Sequence, residues 1–65
     1  MNSVPELKKY FIVFNPYDKP VAIETDLEVA WVEAEFFFEE TRANLIKKGF
    51  RLKECVVIVP QESLS

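Results

Sequence analysis

Catalysis requires titratable or nucleophilic side chains held together, and this chain offers few of them. It has no histidine and a single cysteine, Cys55. General acid–base work would therefore fall to carboxylates. Six of them, Asp26, Glu28, Glu33, Glu35, Glu39 and Glu40, crowd between positions 26 and 40. Their spacing matches no calcium-loop pattern, and they read as the solvated, acidic surface of a helix. Cys55 sits in an apolar run with no base near it in sequence, so it reads as a buried, inert thiol rather than a nucleophile. Ser3, Ser63 and Ser65 lie near the chain ends without the context of a triad. Gly49 is the only glycine, which excludes a glycine-rich phosphate loop. One cysteine cannot form an internal disulfide, and without histidine it argues against a zinc site. The expectation is a chain with no catalytic group, no metal and no cofactor.

A basic cluster, Arg42, Lys47, Lys48, Arg51 and Lys53, could touch phosphates, and Tyr10 or Phe11 on an open sheet could stack bases. The net charge of −3 and a pI near 4.8 argue against nucleic acid as a partner, since such binders carry a basic footprint. The first six residues lack the charged-then-apolar pattern of a signal peptide. No apolar run approaches the ~20 residues that cross a bilayer. A cytoplasmic protein with Cys55 reduced, and no membrane partner, is the expectation.

These residues hang on one stretch, Thr25 to Gly49, which reads as a single long helix. Thr25-Asp26-Leu27-Glu28 has the form of a capping box. Lys47 and Lys48 suit the negative end of the helix dipole, and Gly49 supplies the left-handed residue that ends helices. At 100° per residue, Leu27, Ala30, Trp31, Ala34, Phe38 and Leu45 share a core face, with Phe37 at its edge and Thr41 inside it. A second apolar stripe, Val29, Val32, Phe36 and Ala43, runs along roughly the opposite side. From Asp26 to Glu40 there are six acids and no bases, and from Arg42 to Lys53 five bases and no acid. That segregation complements the dipole and also favours antiparallel self-pairing of helices.

The strands flank this helix. Leu7 to Asn15 is aromatic and β-branched from Tyr10 to Phe14, apolar at consecutive positions, and reads as a central strand. Asn15-Pro16-Tyr17-Asp18-Lys19-Pro20 is a turn cluster. Val21 to Glu24 is a short second strand, with Pro20 suiting an edge. Phe50 to Val59 is the third, stopped by Pro60. The order ββαβ predicts an α+β fold: a three-stranded antiparallel sheet, order 2-1-3, with the long helix packed on one face. About 35 Å of helix at 1.5 Å per residue exceeds the length of such strands, so the end near Leu45 should overhang the sheet.

Sixty-five residues make one small domain, 1–65, with tails at 1–6 and 61–65 expected to be flexible. A chain of this size buries only ~60% of its unfolded surface. Disulfides and metal being excluded, oligomerisation is the remaining route to stability. Two sheet faces and one helix leave apolar residues uncovered. Phe11, Val13, Val57 and Val59 on the open face, the stripe Val29, Val32 and Phe36, and Tyr17 on the hairpin loop are the candidate protein-contact residues.

The expected function is a non-enzymatic protein-binding module. It would be a small regulator or inhibitor, homodimeric, with itself or another protein as partner. Its size, acidity and strand–helix layout are similar to those of small phage-encoded proteins that block host enzymes, an analogy of layout tied to no motif. An alternative is an acidic mimic of nucleic acid, with Asp26, Glu28, Glu33, Glu35, Glu39 and Glu40 as its phosphate row. Another is an accessory subunit of a larger complex.

Overall fold

The computed structural model describes residues 5–59. The elements in chain order are β1 (Glu6–Phe14), β2 (Pro20–Glu24), α1 (Leu27–Phe38), α2 (Arg42–Lys47) and β3 (Arg51–Val59). The strands form one antiparallel sheet in the order β2-β1-β3, with the helices packed on one face. The α+β arrangement and the strand order are those expected from the sequence. Positions 1–4 and 61–65 of the expected tails, and the stop at Pro60, lie outside the described residues. Glu6 is no tail residue, because it opens β1 opposite Val59.

The hairpin turn is built by Asn15. Its side-chain Oδ1 accepts from the amides of Tyr17 and Lys19, both at 2.9 Å, which closes the loop before Pro20 starts β2. Asp18 takes a positive φ of 67° in this turn and pairs with Arg51 at the start of β3. Val13 pairs with Ala22 and Phe14 with Pro20, so Val21 is an extra residue on β2 and the strand bulges there.

The long helix expected from Thr25 to Gly49 is two helices. Asp26, not Thr25, is the N-cap: it is extended, and its carboxylate accepts from the amides of Glu28 and Val29 at 2.9 and 3.2 Å. α1 ends where Glu39 turns left-handed, at φ 54° and ψ 44°. Thr41 then caps α2, accepting from the Asn44 amide at 3.2 Å. The physical reason is reach. A straight helix would carry Leu45 past the end of the sheet, whereas the break turns it inward and buries it completely. The chain exits α2 as the glycine signal predicts. Gly49, at φ 105°, donates to Ile46 O, and Phe50 donates back to Leu45 O. This is a Schellman closure, and it brings Phe50 into the core beside Leu45.

Among the described residues seven form the buried core: Val13, Ala22, Ala30, Trp31, Ala34, Leu45 and Phe50. Three of the seven are alanines, on α1 and β2, which lets the helix backbone lie close to the sheet. Phe11, Val21, Phe38 and Leu52 pack around them, with Phe38 set edge-on to Phe50 at 4.9 Å between centroids. The molecule is elongated. Its Cα radius of gyration is 15.5 Å and its extents are 50 × 19 × 14 Å, against about 11 Å for the radius of a compact domain of this length. β2 pairs with β1 only from Phe11 to Phe14, while β3 pairs along the whole of β1. Glu6–Tyr10 and Cys55–Val59 therefore project as a two-stranded ribbon.

Candidate interaction surfaces

The register of β1 with β3 decides which side chains share a face. Val13 lies opposite Leu52, Phe11 opposite Glu54, Lys9 opposite Val56 and Leu7 opposite Ile58, so these residues alternate onto the helix side. Tyr10 lies opposite Cys55, Lys8 opposite Val57 and Glu6 opposite Val59, so these face away from the helices, with Ile12, Phe14 and Ile23. The expected open face mixed the two sets. Val57 and Val59 are on it, but Val13 is fully buried under α1 and Phe11 packs against the core. The apolar residues that take their place are Tyr10, Ile12 and Phe14, all half-buried, and the exposed Ile23. Lys53 reaches over the Phe14 ring, its Nζ 5.3 Å from the centroid, and shields part of this face. The missed signal is Ala22: the small residue of β2 marks where the helix approaches, and Val13 is its partner.

The second stripe of α1 stands on the surface as expected. Val29 and Val32 are about half exposed and Phe36 is 85% exposed. Phe37, expected at the edge of the core face, is 73% exposed and joins them. Val21, Val32, Glu33, Phe36 and Phe37 line a shallow apolar groove between α1 and the β2 edge. Tyr17 projects from the hairpin turn, 82% exposed.

Most of the acidic residues serve the fold itself. Asp26 caps α1. Glu28 pairs with Arg42, which holds the Glu28 carboxyl below and the Arg42 guanidinium above their ordinary ranges. Glu35 accepts from the Arg42 amide at 2.7 Å, tying α1 to the first turn of α2. Glu40 accepts from Lys48 at 2.7 Å and from the Asn44 side chain at 3.1 Å, and its carboxyl is likewise lowered. Glu39 forms the left-handed break. Glu33 is different: hydrogen bonding with Glu24 on β2 raises its pKa above the ordinary carboxylate value. Arg42 and Lys48, beyond the break, thus pair with Glu28 and Glu40 of the same chain. They are not left for helix self-pairing.

The basic cluster is dispersed in the same way. Arg42 is on Glu28, Lys48 on Glu40, Arg51 on Asp18 and Lys53 over Phe14. Cys55, expected to be buried, is exposed near the middle of the sheet's outer strand, because it pairs with Tyr10 on the face that the helices do not cover. Among the described residues no cluster of three or more acidic or cysteine side chains is placed to hold a metal, and no helix is long and apolar enough to cross a membrane. Comparisons with protein-family models, curated proteins and solved structures found no match.

Proposed function

We propose that this protein is a non-enzymatic binding module, a small regulator or inhibitor that acts by covering another protein's surface and that associates with itself. One observation carries the reading. Among the described residues twelve large apolar side chains are exposed, whereas the core holds seven residues, three of them alanine. Burying a Val, Leu, Ile or Phe side chain contributes about 1.5–3 kcal/mol. A contact over Val29, Val32, Phe36 and Phe37 therefore has enough apolar area to hold a partner. The depletion of charge along this stripe, with Glu33 at its rim, suits an apolar contact bordered by polar groups. A cytoplasmic setting, in which Cys55 stays reduced, is part of the same proposal.

The charge-mimic reading has less support. A phosphate row needs free, aligned carboxylates, and Glu28 and Glu40 are each neutralised by a cation of their own chain.

Sedimentation equilibrium over a range of protein concentrations, in low and high salt, tests the proposal, with ANS fluorescence in parallel. Association that persists in high salt supports an apolar contact. A monomer that binds ANS directs the same surface to an unlike chain. A monomer that binds no ANS at any concentration overturns the reading, since the sticky surface would not exist in solution.

A further inference from the structure

We propose that two copies of this chain join edge to edge through β3, antiparallel and in full register, with the two Cys55 residues facing each other across a two-fold axis. The inference rests on the binding-module reading and names its self-association partner.

Among the described residues β3 pairs on one side only, with β1. Its outer edge is open over all of Arg51–Val59, and the five residues from Cys55 to Val59 carry no charge. An open edge that carries an uncharged apolar run of that length is a template for another strand. The ribbon adds a demand. A two-stranded β-structure is marginal in water and needs a third strand or a helix for stability. Here Leu7 and Ile58 on the helix side are 67% and 64% exposed, and Val57 on the other side is 38% exposed.

The strand's own sequence selects the occupant and the register. An antiparallel pair related by a two-fold axis must place the axis perpendicular to the sheet, so helices of both copies fall on the same face. Facing residues then share parity. Centring the pair on Cys55 uses all nine residues. It sets Arg51 against Val59 of the partner copy, Leu52 against Ile58, Lys53 against Val57 and Glu54 against Val56. No like charges face directly. Centring on Glu54 or Lys53 would oppose two carboxylates or two ammonium groups, which destabilises a sheet. Centring on Val56 or Val57 shortens the ladder. In the Cys55 register the two Glu54 residues meet only on a diagonal, each beside its own Lys9 at 3.8 Å.

The result is a six-stranded sheet, β2-β1-β3-β3-β1-β2, about 30 Å along the joined edges. Each ribbon lies beside the partner's Arg51–Lys53 and becomes part of a five-stranded section, because β1 and β2 of the other copy continue the sheet there. On the face away from the helices the two copies meet at the paired Cys55 residues, each flanked by its own Tyr10.

Facing Cα atoms in an antiparallel sheet lie about 4.5–5.5 Å apart, within the ~4.4–6.8 Å that a disulfide spans. Cys55 is therefore a register probe. Treated with diamide, which is reduced to the hydrazine as it takes two electrons and two protons from the thiols, the full-length protein should form a disulfide-linked dimer. The yield should be independent of protein concentration once the dimer is saturated. Cys55→Ser should remain a noncovalent dimer by sedimentation. Val56→Glu should weaken self-association at least tenfold, because Glu54 of the partner copy then faces a second carboxylate, while Lys9 opposite it in its own chain keeps the monomer's circular dichroism unchanged. A protein that is monomeric but binds ANS overturns the β3 dimer and leaves the binding-module reading standing. A dimer with no Cys55 cross-link, or one dissociated by Phe36→Glu and not by Val56→Glu, also overturns it by placing the interface elsewhere.

Discussion

The guanidinium of Arg42 closes on the carboxylate of Glu28, fourteen positions earlier in the chain, and spans the break between the two helices. The same guanidinium lies over the Trp31 ring, 5.6 Å from its centroid. Arg42 thus joins α2 to the acidic first half of α1 and covers the largest side chain of the core. Part of the chain's charge segregation, which at first suggests two helices pairing between molecules, is taken up within one chain by this fold-back.

Arg42→Ala is expected to lower the melting temperature by a few degrees and to reduce its sensitivity to salt, since the lost pair is screened by ions. Arg42→Lys should recover only part of the loss, because an ammonium cannot both fork onto Glu28 and lie flat over Trp31. Thermal melts at two salt concentrations check both statements.

The acid limb of stability should have two opposing parts. The Glu28 and Glu40 pKa values are lowered from 4.5 by Arg42 and Lys48. Their contribution is therefore present above about 4.5 and lost as pH falls through their folded-state values. Glu33 is raised by Glu24, so its contribution is present below 4.5 and lost as pH rises through its folded-state value. Glu33→Gln should raise the melting temperature at pH 7 and change it little at pH 4. An equal shift at both pH values would show that Glu24 does not hold the Glu33 pKa above its ordinary value.

Gly49 has a φ of 105°, and a Cβ added there would meet the Pro16 side chain at 3.3 Å. Gly49→Ala should cost about 1–2 kcal/mol from the backbone conformation alone. For a domain of this size that is a fall on the order of 5–15 °C in melting temperature. Calorimetry would detect it, and an unchanged melt would mean that the α2 exit is not closed as described.

Two substitutions separate core from surface. Val13→Asp puts a charge at a fully buried position and should abolish the cooperative melt. Phe36→Glu, at a position 85% exposed, should leave helical circular dichroism intact and lower ANS binding. If Phe36→Glu unfolds the chain, the outer stripe of α1 is core after all.

Legibility in the sequence followed the range of the interactions. The Asn15 turn, the edge position of Pro20 and the Gly49 stop are decided within a few residues by hydrogen bonds and φ preferences, and all are present in the structure. The order β2-β1-β3 followed as well, because a short hairpin and one right-handed crossover leave few other arrangements. The surplus of apolar residues was visible before any packing was known.

Two things needed the tertiary structure. β1 is apolar on both sides from Tyr10 to Phe14, so its own pattern does not say which side meets the helix; the register with Ala22 and Leu52 does, and it buries Val13 while leaving Tyr10, Ile12 and Phe14 toward solvent. The helix break at Glu39 has no glycine or proline to announce it. Helical periodicity continues through it, and Thr41 reads equally well inside a helix or at its cap. What decides is burial of Leu45 together with the Glu35 and Arg42 contacts across the break, and those depend on where the sheet ends. Local chemistry sets the elements of this protein, but the faces they bury are set by distances between residues far apart in the chain.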